Sequence, residues 1–257
     1  MQNDSFNNRD GQSVHGTDPI NGHVGERDQA LSKYYSMVYL IMFGGVAITT
    51  FVSWLLAYPL RNAFVNFLSS GGSVAIMLVT FVPLILVFVM GHNANKDAAA
   101  SVNLVLFMIM SACYGITLSV TLMFSSAGSV VNALGVTALI FLLMSVLGRN
   151  TTSDLQRGRR VAFALLLGVI VVSLINAFMG SSMLEWIIDY AVLGIFTWMI
   201  ASDQQNIKVA YYQLQDSGAT DTMMANYATS SAMGLYLDVL NIFIVLLEIF
   251  GGGNNRN

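Results

Sequence analysis

The chain has 257 residues, 55% of them hydrophobic and only 10% charged, with a formal net charge of −3. A soluble domain carries about 25% charged residues, so this composition excludes an ordinary water-soluble globule and gives no basic surface that would suggest a nucleic-acid partner. The single cysteine, Cys113, excludes an intrachain disulfide and a cysteine-based zinc cluster, and His15, His23 and His92 are too scattered along the chain to make a metal site.

Residues 1–33 are rich in Asn, Asp, Gly and Gln and nearly free of aromatics. That composition reads as a disordered polar tail, and no apolar core follows a basic start, so no signal peptide is expected. Seven apolar runs follow, over Tyr34–Tyr58, Ser73–Gly91, Ala98–Leu122, Ser126–Leu147, Val161–Met179, Trp186–Ser202 and Ser230–Gly251. About twenty apolar residues cross a bilayer as a helix. Run length and the lack of alternation exclude a transmembrane barrel, and no repeat between halves suggests an inverted-repeat transporter. The expected fold is an all-α integral membrane protein with seven transmembrane helices over 34–251, a polar tail over 1–33 and a short C-terminal tail over 252–257.

Basic residues set orientation, because cytoplasmic loops collect them. With the N-terminus inside, the inner segments hold Arg9, Arg27, Lys33, Lys96, Arg149, Arg157, Arg159, Arg160 and Lys208, and the outer segments hold only Arg61 and Arg256. The expected topology is therefore N-terminus in the cytoplasm and C-terminus outside. It places the glycosylation-like Asn150-Thr-Thr152 on the inner side, where it goes unused. No signal peptide and short loops suit a bacterial inner membrane, with an internal eukaryotic membrane as the alternative.

Asp238 lies inside the last apolar run, about two turns along it. A charge at that depth costs roughly 2.5–3.5 kcal/mol on insertion scales and usually faces a cavity or a partner. Asp203 closes the sixth run, at its expected inner end. If the two helices pack together, both carboxylates reach similar depth. Two carboxylates in one dry site cannot both ionise cheaply and titrate as a unit, so the pair can bind a cation, hold a proton or do both. The plainer readings are a solvated helix-end residue for Asp203 and a buried acid satisfied by Asn or Tyr for Asp238. Ser231, Gly234, Asp238, Asn241 and Glu248 share one face of the seventh helix. Such a stripe reads as the lining of a hydrated path, or as a helix–helix seam glued by small and polar side chains. Glu185, Asp189 and Glu248 fall near the outer side and would concentrate cations at a mouth; Glu185 and Asp189 equally suit the N-terminus of a helix, whose dipole favours anions.

Three stretches together resemble the Bax inhibitor family of seven-helix membrane proteins: Tyr114-Gly-Ile-Thr-Leu-Ser119, Ser202-Asp-Gln-Gln-Asn-Ile-Lys208, and Leu235-Tyr-Leu-Asp-Val-Leu-Asn-Ile-Phe243 with Leu246-Leu-Glu-Ile-Phe-Gly251. The resemblance covers Tyr34–Gly251. It implies six helices around a central seventh and a pH-sensitive calcium leak whose sensor and cation site are an aspartate pair, here Asp203 and Asp238. The family's calcium-leaking members often carry an arginine near the inner end of helix two that pairs with the first aspartate. This chain reads Met90-Gly-His-Asn-Ala-Asn-Lys-Asp97 there, which leaves Lys96, then His92, as the candidate latch. Lysine lacks the bidentate geometry of arginine. Another branch of the family lacks the aspartates and is linked to a membrane protease; this chain keeps both.

The sequence thus points to a non-enzymatic, channel-like protein that passes Ca²⁺, gated by protons on Asp203 and Asp238. Calcium takes hard oxygen ligands, here the two carboxylates with the Asn241 amide or backbone carbonyls, in a site weak enough to let the ion leave. No cofactor is expected. The partners expected are the lipid bilayer, Ca²⁺, H⁺ and candidate membrane proteins, and no oligomeric state follows. The first rival is a non-conducting regulator of another membrane protein. A retinal protein needs a lysine in the last helix, which has none. An intramembrane aspartyl protease needs glycines before its aspartate, where this chain has Leu-Tyr-Leu.

Overall fold

The computed structural model describes residues 19–93 and 100–252, with side chains over 29–93 and 100–251. Eight α-helices account for nearly all of it: α1 (Pro19–Ala57), α2 (Arg61–Phe67), α3 (Ser73–Asn93), α4 (Ala100–Phe124), α5 (Ala127–Asn150), α6 (Gln156–Met179), α7 (Ser182–Asp216) and α8 (Asp221–Gly252). There is no strand among the described residues. Hydrocarbon offers no partner for backbone N–H and C=O groups, and a helix satisfies its own. Seven helical segments are long and apolar enough to span a membrane, α2 and α3 jointly forming the second of them. The protein is an all-α integral membrane protein and sits in a lipid bilayer.

Local sequence fixes the ends. Ser126 caps α5 by accepting the Ser129 N–H at 3.0 Å, and Ser181 caps α7 by accepting that of Leu184 at 3.4 Å. Gly180 ends α6 at φ 63°, with its N–H on the Asn176 carbonyl at 2.8 Å. Between α2 and α3 the segment Leu68–Gly72 turns through Gly71 at φ 101°, a conformation that side chains with a Cβ resist.

The last helix is the central one. In α8, 56% of the most apolar window is buried, against 33% at most for any other span. Helix α8 packs against α1, α4, α5 and α7, while α3 leans mainly on α4, and α6 on α7. The shell implied by the family resemblance is therefore two-layered: four helices wall α8 and two stand behind them. Tyr236 is fully buried at the middle, its hydroxyl 2.7 Å from Thr49 Oγ1, which donates to the Ser111 carbonyl at 2.8 Å. The ring of Phe107 meets Tyr236 edge-on at 5.3 Å. The outer faces carry Leu40, Phe88, Phe163 and Phe178, all exposed, as a lipid-facing surface requires.

The expected spans and the observed helices agree to within five residues except at four ends, one of them the start of the second span, which α2 carries back from Ser73 to Arg61. Helix α1 starts at Pro19, so residues 19–33, expected as tail, are helical; residues 1–18 and 253–257 lie outside the described residues. Helix α7 runs on to Asp216 and α8 starts at Asp221, past the apolar runs. The reason is amphipathic packing: beyond Ser202, Ile207, Tyr211 and Leu214 recur at helical spacing and are buried, as are Ala228 and Ala232 of α8. These extensions form a hairpin turned by Gly218 at φ 67°.

Replacing Gly71 by Val is expected to lower stability by about 1–2 kcal/mol, the cost of a left-handed conformation for a residue with a Cβ. Gly44→Ala, where nothing stands within 4 Å of the new methyl, is expected to be neutral or mildly stabilising. Thermal unfolding in detergent checks both; equal destabilisation would mean the turn at Gly71 is not a fixed feature.

Candidate functional site

Asp203 stands well inside α7 and not at its end. Its exposure is 5% and that of Asp238 is 1%. The carboxylate of Asp203 lies directly on Gly234 of α8: a methyl group at Gly234 would stand 2.7 Å from Asp203 Oδ2. Gly234 is there for want of a side chain, and Asp238 follows it by one turn on the same face. The two carboxylates thus face the same α7–α8 seam, and the charges of Asp203 and Arg159 both act on Asp238. Both residues are set on this seam by a long continuous helix hairpin, and not by a helix end dipping into the bundle.

The cation at the pair is Arg159, whose guanidinium stands 3.4 Å from Asp203 Oδ1. It comes from the first turn of α6. The expected latch was the inner end of the second span, through Lys96 or His92, and Arg159 is a cation that expectation did not include. Lys96 lies outside the described residues. His92 is exposed at the end of α3, a helix that packs on α4 and only lightly on α8. Helix α6, by contrast, lies along α7.

The segment before α6 is stitched down at the same place. Ser202 donates to the Leu155 carbonyl at 3.4 Å; Gln205 accepts the Leu155 N–H at 2.9 Å and donates to the Ser153 carbonyl at 2.7 Å. On the other side of α7, Gln204 accepts from Tyr39 at 2.7 Å and donates to Ser145 at 3.0 Å, and Tyr35 donates to the Gln204 carbonyl at 2.7 Å. Arg149 stacks over the Tyr35 ring at 4.2 Å. Ser202 and Gln205 therefore both hold the segment before α6, Asp203 meets Arg159 and Gln204 reaches α1 and α5, and together they close the bundle around Asp203. Two buried carboxylate oxygens, Asp203 Oδ1 and Asp238 Oδ2, have no hydrogen-bond donor among the described residues. Such groups are rare in folded proteins.

The remaining predicted residues lie apart. Asn241 is half-buried and its side-chain N–H bonds back to the Leu237 carbonyl at 2.7 Å. Glu185, Asp189 and Glu248 are brought near enough at the opposite end of the bundle to act electrostatically on one another. No group of three or more His, Cys, Asp or Glu among the described residues has metal-holding geometry. The sequence reading missed Arg159, Tyr35, Tyr39 and Gln204. The signal for Arg159 was present in the cluster Arg157, Arg159, Arg160, but it served there only to mark the inner side.

A seven-helix membrane protein with a buried aspartate pair and a single guanidinium on it is the class that fold and site define. The family model described as "Inhibitor of apoptosis-promoting Bax1" matches residues 31–256, and the chain belongs to that family. It is 36% identical over 235 residues to an uncharacterized membrane protein of Streptococcus pyogenes serotype M1, covering 90% of this chain and 99% of that one. It is 33% identical over 221 residues to the inner membrane protein YbhL of Escherichia coli strain K12, covering 86% and 92%. An uncharacterized protein of Borreliella burgdorferi is 34% identical over 216 residues, with coverage of 83% and 91%.

Removing Arg159 leaves a buried charge without its counter-ion. Breaking a fully buried pair costs about 3–5 kcal/mol; because Arg159 is partly exposed, Arg159→Gln is expected to cost about 1–3 kcal/mol after allowance for solvent screening. Acid supplies Asp203 with a proton in place of the guanidinium, so the deficit relative to wild type is expected to shrink as pH falls. Melting curves of both proteins across pH check this, and a deficit that grows in acid contradicts the role assigned to the pair.

Proposed function

We propose that this protein is a channel-like leak for cations, calcium in the first place, controlled by protonation of Asp203 and Asp238. The observation that supports this most is the buried carboxylates themselves: among the described residues Asp238 Oδ2 has no hydrogen-bond donor, and Asp203 Oδ1 has the Arg159 guanidinium at 3.4 Å without a well-formed hydrogen bond. Nothing in a structural helix seam requires that arrangement. A proton or a passing cation is what such oxygens take.

In this reading Arg159 is the latch. With Asp203 ionised, the ion pair and the stitched segment Ser153–Leu155 hold the inner end of the bundle shut. A proton on Asp203 removes the attraction and lets α6 and that segment part from α7. Acid also removes negative charge from the cation site, and a neutral acid is a poor calcium ligand. The two effects oppose each other, so flux peaks at intermediate pH, where the coupled pair holds about one proton. Calcium is the cargo here. Two carboxylates, the Asn241 carbonyl oxygen one turn further on and water supply a weak site, suited to passage. The carboxylates Glu185, Asp189 and Glu248 concentrate cations at the other end. The activity is transport and not enzymatic, no cofactor is required, and the membrane is a bacterial inner membrane with the N-terminus inside.

Calcium flux into liposomes across pH tests this. Asp203→Asn and Asp238→Asn are each expected to abolish calcium binding and regulated flux, and the double variant to add little, as for coupled sites. Arg159→Ala is expected to raise the leak at high pH and flatten the profile, while Lys96→Ala and His92→Ala leave it in place. Wild-type liposomes that pass no calcium at any pH would favour a non-conducting regulator of another membrane protein.

Orientation is checked separately. In a Cys113→Ser background, Asp154→Cys is expected to resist an impermeant thiol reagent applied from outside, and a cysteine at Asn257 to react with it. The reverse pattern would overturn the topology and the inner placement of Asp203.

A further inference from the structure

Helix α8 has a second functional face. Tyr236 precedes Asp238 by two residues and so points roughly 160° away from it around the helix. On that side a cavity of about 350 Å³ opens beside Tyr236, Leu240 and Phe243 of α8, with Thr49, Ser53 and Trp54 of α1 among its walls. An apolar cavity of about 150 Å³ already accepts a benzene-sized guest. Leu118 and Leu122 of α4, and Val130, Leu134 and Thr137 of α5, complete the lining.

The cavity lies in the seam between α1 and α5. Both helices pack on α8 but not closely on each other. Toward the Asp203 end the seam is closed by the rings of Tyr39 and Phe43, which meet Phe141 at 6.1 and 6.5 Å. Away from that end it is flanked by Phe51 and Leu134, both exposed on the lipid-facing surface. The hydroxyls in the lining are mostly turned onto the protein: Thr49 and Tyr236 satisfy each other, Thr49 also donates to the Ser111 carbonyl, and Ser53 donates to the Thr50 carbonyl at 3.1 Å. Thr137 keeps a buried hydroxyl with no partner among the described residues. What the cavity presents is therefore mostly hydrocarbon, with the buried Thr137 hydroxyl unmet among the described residues.

We propose that this seam is a lipid site, in which one acyl chain of a bilayer phospholipid enters between α1 and α5 and lies against Leu240 and Phe243. At this depth the surrounding solvent is hydrocarbon, so the driving force is not transfer from water. It is contact: an empty cavity leaves its lining without partner atoms, and a chain supplies them. The mouth suits a phospholipid. Trp54 and Tyr58 stand at the end of α1, where amphipathic rings mark the membrane interface. Arg61 follows directly, its backbone N–H on the Tyr58 carbonyl at 3.3 Å, and offers a cation at headgroup depth. The site is separate from the aspartate pair and does not depend on the transport reading.

The test is photolabelling of the full-length protein in phosphatidylcholine–phosphatidylglycerol vesicles that contain a phosphatidylcholine with a diazirine on its acyl chain, followed by peptide mapping. Adducts are expected on Phe243, Leu118 or Leu240, which are exposed to 7%, 7% and 8% and out of reach of bulk lipid. Thr137→Phe, which fills the cavity, is expected to remove those adducts and leave those on exposed Phe51 and Leu139. Should that variant not fold, Val130→Phe fills the same space, and the wild-type map stands by itself. Adducts confined to exposed residues would overturn the site. Hydroxyl-radical labelling of Tyr236 without lipid adducts would make the cavity a water-filled vestibule, and interior adducts from a free diazirine fatty acid but not from the phospholipid would remove the phospholipid as occupant.

Discussion

The ionised carboxylate of Asp203 cannot remain in a dry helix bundle without compensation, and much of the architecture around it answers that constraint. The desolvation penalty of a buried ion is several kcal/mol. Arg159 meets it at 3.4 Å, and bringing Arg159 there requires the start of α6 to fold against α7. That in turn fixes the segment Ser153–Leu155, whose backbone is held by Ser202 and Gln205. Gly234 must lack a side chain for the carboxylate to fit at all. A chain that kept Asp203 and lost any of these would carry an uncompensated charge at the junction of α5, α6, α7 and α8.

The position of the counter-ion separates this chain from the pattern its motifs suggest. In the pattern, an arginine near the inner end of the second span meets the aspartate. Here a guanidinium stands at the aspartate from α6. The electrostatics are equivalent, since a guanidinium neutralises a carboxylate from either direction. The mechanics are not. Arg159 belongs to α6, which packs on α7, whereas α3 leans on α4.

Helix α8 does two things with two faces. One carries Gly234 and Asp238 toward α7 and the charge site. The other carries Tyr236, Leu240 and Phe243 toward a hydrocarbon-lined seam between α1 and α5. A helix walled by four others has no surface to spare, so any adjustment on one face is felt on the other through the close packing of the core.

The sequence by itself determined the class of the fold, because hydrocarbon permits few solutions to backbone hydrogen bonding and seven apolar runs admit only helices. It also singled out the candidate residues: Asp238 inside an apolar run is conspicuous for its cost, and Asp203 belongs to a polar run whose order resembles that of a known family. The tertiary structure decided which groups meet. Arg159 lies 44 positions from Asp203 in the chain, and no local rule joins them; only the docking of α6 on α7 does. The reach of α7 beyond its apolar run was legible in principle from Ile207, Tyr211 and Leu214, but a hydropathy boundary is set by the polar residues between them. The seam between α1 and α5 leaves no mark in either helix alone, because a cavity is a property of how neighbours fail to touch.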